Sequence, residues 1–229
     1  MWTRRDFIGR SLLTAGALAA TRRTQAGQSD APKIEISLAQ WSLHRMIYSG
    51  RLDHLDFPAK SRDDFGISVV EYVNGFFGGG SVDFRQAGKS AAYLKELLKR
   101  SRDAGVVNHL IMVDDEGPLA DADEKTRRQA VEDHKKWGEA ARFLGCPTVR
   151  VNLHGNGSSE EKRSASADSL DRLGDFANTM GINVVVENHG HESSNGAWLA
   201  SVIQQVARPN VGTLPDFGNF CLTHPWGNH

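Results

Sequence analysis

From residue 34 onward, short and nearly continuous apolar runs alternate with longer segments whose apolar residues recur at helical spacing. The short runs cover 34–38 (IEISL), 67–73 (ISVVEYV), 106–113, 148–153 (TVRVNL), 182–186 (INVVV) and 211–214 (VGTL). Such runs lack the one-wet-face alternation of an exposed sheet, so they predict strands covered on both sides, as in a parallel sheet. The intervening segments predict helices over 55–65, 90–104, 121–144, 160–180 and 197–207. In the second of these, Leu94, Leu97 and Leu98 share one face. Gly105, Gly145 and Gly181 stand where helix-ending residues belong. The stretch 76–80 (FFGGG) reads as a flexible loop.

Six strands alternating with helices make an α/β chain. No glycine-rich phosphate fingerprint follows the first strand, so a dinucleotide-binding doubly wound sheet is disfavoured. The expectation is a (β/α)8 TIM-barrel type with about six βα units present in residues 27–229. Complete barrels run to about 250 residues. On this reading strands seven and eight are missing and the chain is C-terminally truncated. The open edges of such a sheet are expected to weaken it and to favour association into homo-oligomers.

The first 26 residues carry a different pattern. Arg4-Arg5 precedes Phe7-Ile8, 11–20 (SLLTAGALAA) is weakly apolar, and Thr24-Gln25-Ala26 offers a small-residue cleavage site. This is the plan of a twin-arginine signal peptide, implying export to the periplasm. The apolar run is too short to span a bilayer, so the membrane is met only through the signal. Composition adds little: 39% of residues are hydrophobic and the formal net charge is −1, which gives no reason to expect nucleic acid as a partner. Cys146 precedes strand four and Cys221 follows strand six, at opposite ends of the strands. That separation, about 16 Å for a five-residue strand, predicts that they stay unpaired.

Barrel enzymes carry their chemistry at the C-terminal ends of the strands. Strand five ends in Glu187-Asn188-His189-Gly190-His191 and strand six in Pro215-Asp216-Phe217-Gly218-Asn219. A carboxylate in that position needs a partner. For Glu187 alone, a metal and a basic residue of a neighbouring strand are equal alternatives. Glu187 and Asp216 on adjacent strands repel unless a cation or a proton lies between them. The pair therefore points to a divalent metal, Mn2+ or Mg2+ first, with Zn2+ or Co2+ as alternatives. Asp114-Asp115-Glu116 reads as a solvated acidic loop.

The segments 36–44 (ISLAQWSLH), 70–74 (VEYVN), 184–190 (VVVENHG) and 213–220 (TLPDFGNF) resemble the sugar phosphate isomerase/epimerase family, the xylose isomerase-like barrels. The resemblance implies a metal held by Glu, Asp, His and Glu from strands five to eight. Glu187 and Asp216 match the first two; the others would lie beyond His229. It also implies proton transfer beside a sugar carbonyl through an enediolate, with Glu187 as one of two acid/base groups. On that reading the chain supplies half of the machinery and is inactive by itself. Trp41, His44, Glu71, Asn152, His154 and His189 are the candidate contacts to a small-molecule sugar or sugar derivative. Two other functions remain open: an exported sugar-binding protein without catalysis, and an abasic-site endonuclease-like metalloenzyme, which the charge disfavours.

Overall fold

The computed structural model describes residues 34–220 and residue 222. The chain divides into two units at Glu35–Ile36, and every element below lies in the second. The signal segment, Cys221 and the tail from 223 fall outside the described residues.

Six strands, β1 Leu38–Ala39, β2 Val69–Val73, β3 Val107–Met112, β4 Thr148–Val151, β5 Asn183–Glu187 and β6 Val211–Leu214, form one sheet in sequence order. All pairings are parallel. Among the described residues seven α-helices accompany them: α1 His44–Tyr48, α2 Phe57–Phe65, α3 Phe84–Lys89, α4 Ala91–Asp103, α5 Glu124–Leu144, α6 Ser159–Asn178 and α7 Gly196–Val206. The six βα units of the sequence reading are therefore present as an α/β fold. The first strand is shorter than its apolar run, because Gln40–Leu43 turn at once into a 3-10 helix. Helices α1 and α3 are additions that short, weakly periodic segments did not announce.

Local chemistry sets the helix ends. Ser158 and Glu161 form a reciprocal capping box at the start of α6. Asp123 caps α5 by accepting from the Thr126 backbone N–H. Gly145 ends α5 at φ 78°, a left-handed conformation that costs a residue with a Cβ.

Alternation along the strands sorts side chains between two apolar layers. Val149 and Val151 of β4, with Val184 and Val186 of β5, join the large cluster under the helices. Leu110, Met112 and Val73 face the other way and meet Ala39, Val185 and Leu214 in a small inner cluster. Arg150 and Glu187 occupy the inward alternation of β4 and β5 and cap that inner cluster.

The loops after β3 and β4 are laced together. The Ala120 and Ala122 amides donate to the His154 and Asn156 carbonyls at 3.0 and 2.9 Å, and Asp121 accepts from the Asn156 backbone and side chain. Gly155 lies so close that a Cβ there would stand 2.3 Å from the Asp121 nitrogen. Gly155→Ala is expected to lower stability by about 1–3 kcal/mol through forced backbone displacement. Urea unfolding of the two proteins checks this.

Glu116 departs from the solvated loop that the acidic run suggested. It is 3% exposed, accepts from Lys136 Nζ at 2.7 Å and Trp137 Nε1 at 2.8 Å, and meets Arg85 at 3.4 Å. A carboxylate is tolerated in that position because each oxygen has a donor.

Candidate functional site

A cleft of about 650 Å3 opens at the C-terminal ends of the strands. Its walls include Trp41, Glu71, Asp114, Arg150, Glu187, His189, Asp216, Phe217 and Asn219. The strands deliver these side chains because each strand's inward alternation continues one or two residues into its following loop.

Glu187 and Asp216 share this cleft. Asn219 Nδ2 donates to Glu187 Oε1 and to Asp216 Oδ2, both at 3.0 Å. One amide therefore bridges the two carboxylates. Asn188 fixes the backbone around Asp216: its Nδ2 donates to the Asp216 carbonyl at 2.8 Å, and the Asp216 N–H donates to its Oδ1 at 2.7 Å. On its other side Glu187 meets Arg150, whose Nε lies 2.8 Å from Oε2 as an ion pair without hydrogen-bond alignment. Arg150 NH1 also donates to Asp114 Oδ1 at 2.6 Å.

Burial pushes the Glu187 carboxyl above its ordinary range. The Arg150 charge pulls it back, while the charges of Asp216 and Asp114 and a hydrogen bond with Asp216 that requires a proton push it further up. Burial also lowers the His189 imidazole, helped by Arg150, so that the ring favours its neutral form.

The other expected contacts divide. Trp41 lines the cleft at half exposure, and Glu71 lines it while accepting from Ser37 Oγ at 2.5 Å. Asn152 stands beside it, donating from Nδ2 to Asp114 Oδ1 at 2.7 Å. His44 does not line the cleft. Its Nδ1 contacts the Trp41 carbonyl at 2.7 Å and its ring stacks on Trp41 at 4.6 Å, because α1 carries it behind the indole. His154 is also outside: the chain turns away after Leu153, and His154 lines a separate hollow of about 330 Å3 with Lys162, His191 and Glu192.

Arg150, Asp114 and Asn219 were not foreseen as site residues. Arg150 had a signal, a lone cation inside the apolar run TVRVNL, and Asp114 ends β3 as Asp216 ends β6. Cys146 is a buried thiol, its pKa raised by burial to about 12. Among the described residues no group of three or more His, Cys, Asp or Glu is placed to hold a metal. No helix among them is long and apolar enough to cross a membrane.

The parallel six-unit sheet and a strand-end cleft define an α/β-barrel class of protein. The family described as Xylose isomerase-like TIM barrel matches residues 63–226, and the chain belongs to it. Among solved structures, D-psicose 3-epimerase in the presence of D-fructose is similar at 15% identity, with a TM-score of 0.63, over 80% of this chain and 63% of that one. A sugar phosphate isomerase/epimerase from Parabacteroides distasonis is similar at 16% identity and a TM-score of 0.58, over 84% of this chain and 68% of that one. The IOLI protein with a bound zinc atom is similar at 17% identity and a TM-score of 0.62, over 82% and 64%. At these identities the likeness is one of fold. No curated protein matches the chain significantly.

Proposed function

We propose that the cleft serves a metal-dependent sugar isomerase or epimerase, and that the protein is exported by its twin-arginine signal to the periplasm. The observation that carries the first part is the Glu187–Asp216 carboxylate pair, bridged by one amide and facing a cleft large enough for a monosaccharide. As a donor set it fits Mn2+ or Mg2+: two hard oxygen ligands whose mutual repulsion calls for positive charge. The described residues provide two such ligands, so the fit is that of a partial ligand set.

Glu187 and Asp216 would hold a divalent metal there, which would supply Lewis-acid chemistry at the carbonyl of an open-chain sugar. Glu187 would take the proton from the carbon beside that carbonyl and return it to the neighbouring carbon on the same face, return to the opposite face requiring a second acid/base group. Asp216, fixed by Asn188, holds its carboxylate in the cleft. Trp41 walls one side of the cleft, while Glu71 and His189 offer hydrogen bonds to the substrate's hydroxyls.

A second reading, a sugar-binding protein without catalysis, is favoured by one feature. Arg150 and Asn219 already satisfy the carboxylates without a metal. Mn2+ titration followed by electron paramagnetic resonance separates the two. The enzyme reading expects one bound Mn2+ that Glu187→Gln and Asp216→Asn each weaken by ~100-fold or more, since each removes an anionic ligand from a set of few. Sugar binding that is indifferent to Mn2+ and to both substitutions supports the second reading instead.

A further inference from the structure

The cleft contains a second strand-end aspartate, built into place as the first one is. Asn188 follows β5 and grips the backbone of Asp216, just beyond β6, by two hydrogen bonds. Asn74 follows β2 and grips Asp114, just beyond β3, by the same two: Nδ2 to the Asp114 carbonyl at 2.8 Å and the Asp114 N–H to Oδ1 at 2.9 Å. Both asparagines are fully buried. In each case one amide spans neighbouring strands and presents the next strand's aspartate to the cleft.

The surroundings of the two aspartates differ. Asp216 stands beside Glu187 and shares an amide with it. Asp114 stands beside Arg150, whose guanidinium it shares with Glu187: NH1 donates to Asp114 Oδ1 at 2.6 Å and Nε lies 2.8 Å from Glu187 Oε2. Arg150 and Asn152 both donate to the same oxygen, Oδ1. No hydrogen bond to Oδ2 occurs among the described residues, and the Asn152 Oδ1 atom is buried without a donor. The Asn152 Oδ1 atom has no exposed surface, whereas the Asp114 side chain keeps 29% of its surface exposed at the cleft. A carboxylate oxygen open to the cleft, next to a guanidinium that also lines it, suits a group that both donates and accepts. A hydroxyl does so, whereas a carboxylate or phosphate would face Asp114 unfavourably and an ammonium would face Arg150.

We propose that Asp114 and Arg150, with Asn152 positioning the Asp114 carboxylate, form a hydroxyl-binding subsite that takes a neutral polyol, holding a substrate hydroxyl remote from the reacting carbons. The proposal rests on the sugar reading of the cleft but not on its metal. It gives Asp114 a specificity role separate from the Glu187–Asp216 pair.

Calorimetric binding of D-fructose and its monodeoxy analogues, to the full chain with and without Mn2+, tests this. Asp114→Asn is expected to weaken D-fructose by ~10- to 100-fold, the range for a hydrogen bond to a charged group. For the one analogue lacking the held hydroxyl, the wild-type protein binds weakly and the substitution causes no further loss. Asn152→Ala, which leaves the Arg150–Asp114 pair in place, is expected to show the same analogue dependence and carries the test if Asp114→Asn does not fold. An equal loss for every analogue, or no loss for any, overturns the subsite. Failure of the wild-type protein to bind any polyol overturns the subsite and the sugar reading together. Failure to bind Mn2+ while the analogue pattern persists overturns the metal alone.

Discussion

Acidification from pH 7 to pH 5 is expected to cost the fold about 4 kcal/mol, with two buried histidines responsible for most of it. His54 is fully enclosed among Tyr72, Phe77 and Tyr93, and burial lowers its pKa to about 3. His134 in α5 is buried likewise and lowered to about 4. Both groups are depressed bases, so the unfolded chain binds their protons first. Their stability contribution is complete above the ordinary histidine value and declines as pH falls from about 6.5 toward 4 and 3. At pH 5 each has lost about 2 kcal/mol, and for a chain of this size the sum lowers Tm by roughly 8–16 °C. Glu187 acts in the opposite sense. Its raised carboxyl takes up a proton in the folded state first, which favours the fold as pH falls. Stability measured by urea unfolding between pH 5 and 7 should therefore rise steeply with pH. His54→Gln or His134→Gln should each remove about half of that slope, whatever it does to stability at pH 7. A flat profile would show that neither ring is neutral and enclosed.

Trp137→Ala is expected to cost about 4–5 kcal/mol, near the top of the range for a large buried side chain. Trp137 is fully buried and its ring packs on Phe77 at 5.1 Å and Phe84 at 6.2 Å. It also fills the space over Gly88, where a Cβ would come within 2.6 Å of the ring. Removing it opens a cavity between α3, α5 and the sheet, and leaves Glu116 without the 2.8 Å indole donor. Trp137→Phe keeps most of the volume and should lose about 1–3 kcal/mol, the cost of an unsatisfied buried acceptor. Chemical denaturation of the two variants separates the cavity from the hydrogen bond; equal losses would mean that packing on Gly88 and Phe84 contributes little.

The six βα units were legible in the sequence because buried parallel strands are apolar throughout and the long helices repeat their apolar residues at one spacing. Helix α3 escaped notice because it spans only Phe84–Lys89, too short to display a period, and its place is fixed by Trp137 of a distant helix. Glu187 and Asp216 stood out because each follows an apolar run. Their pairing with Arg150 and Asn219 did not, since it depends on which strand-end residues point inward at one level. The role of Asp114 was hidden by its acidic neighbours. Only the Asn74 clamp and the Arg150 pair separate it from Glu116, which points into the protein and is held by Lys136 and Trp137. The histidines near the cleft were the least legible. His44, His154 and His189 all follow strands, yet only His189 lines the cleft, because a single loop residue more or less redirects a side chain.

Anomalous diffraction from crystals grown with Mn2+ tests most directly the proposal that Glu187 and Asp216 together hold a divalent cation. One strong manganese peak is expected within ligand distance of both carboxylates, with the Asn219 amide displaced from between them. Well-ordered carboxylates still bridged by Asn219 and paired with Arg150, with no peak beside them, would contradict it.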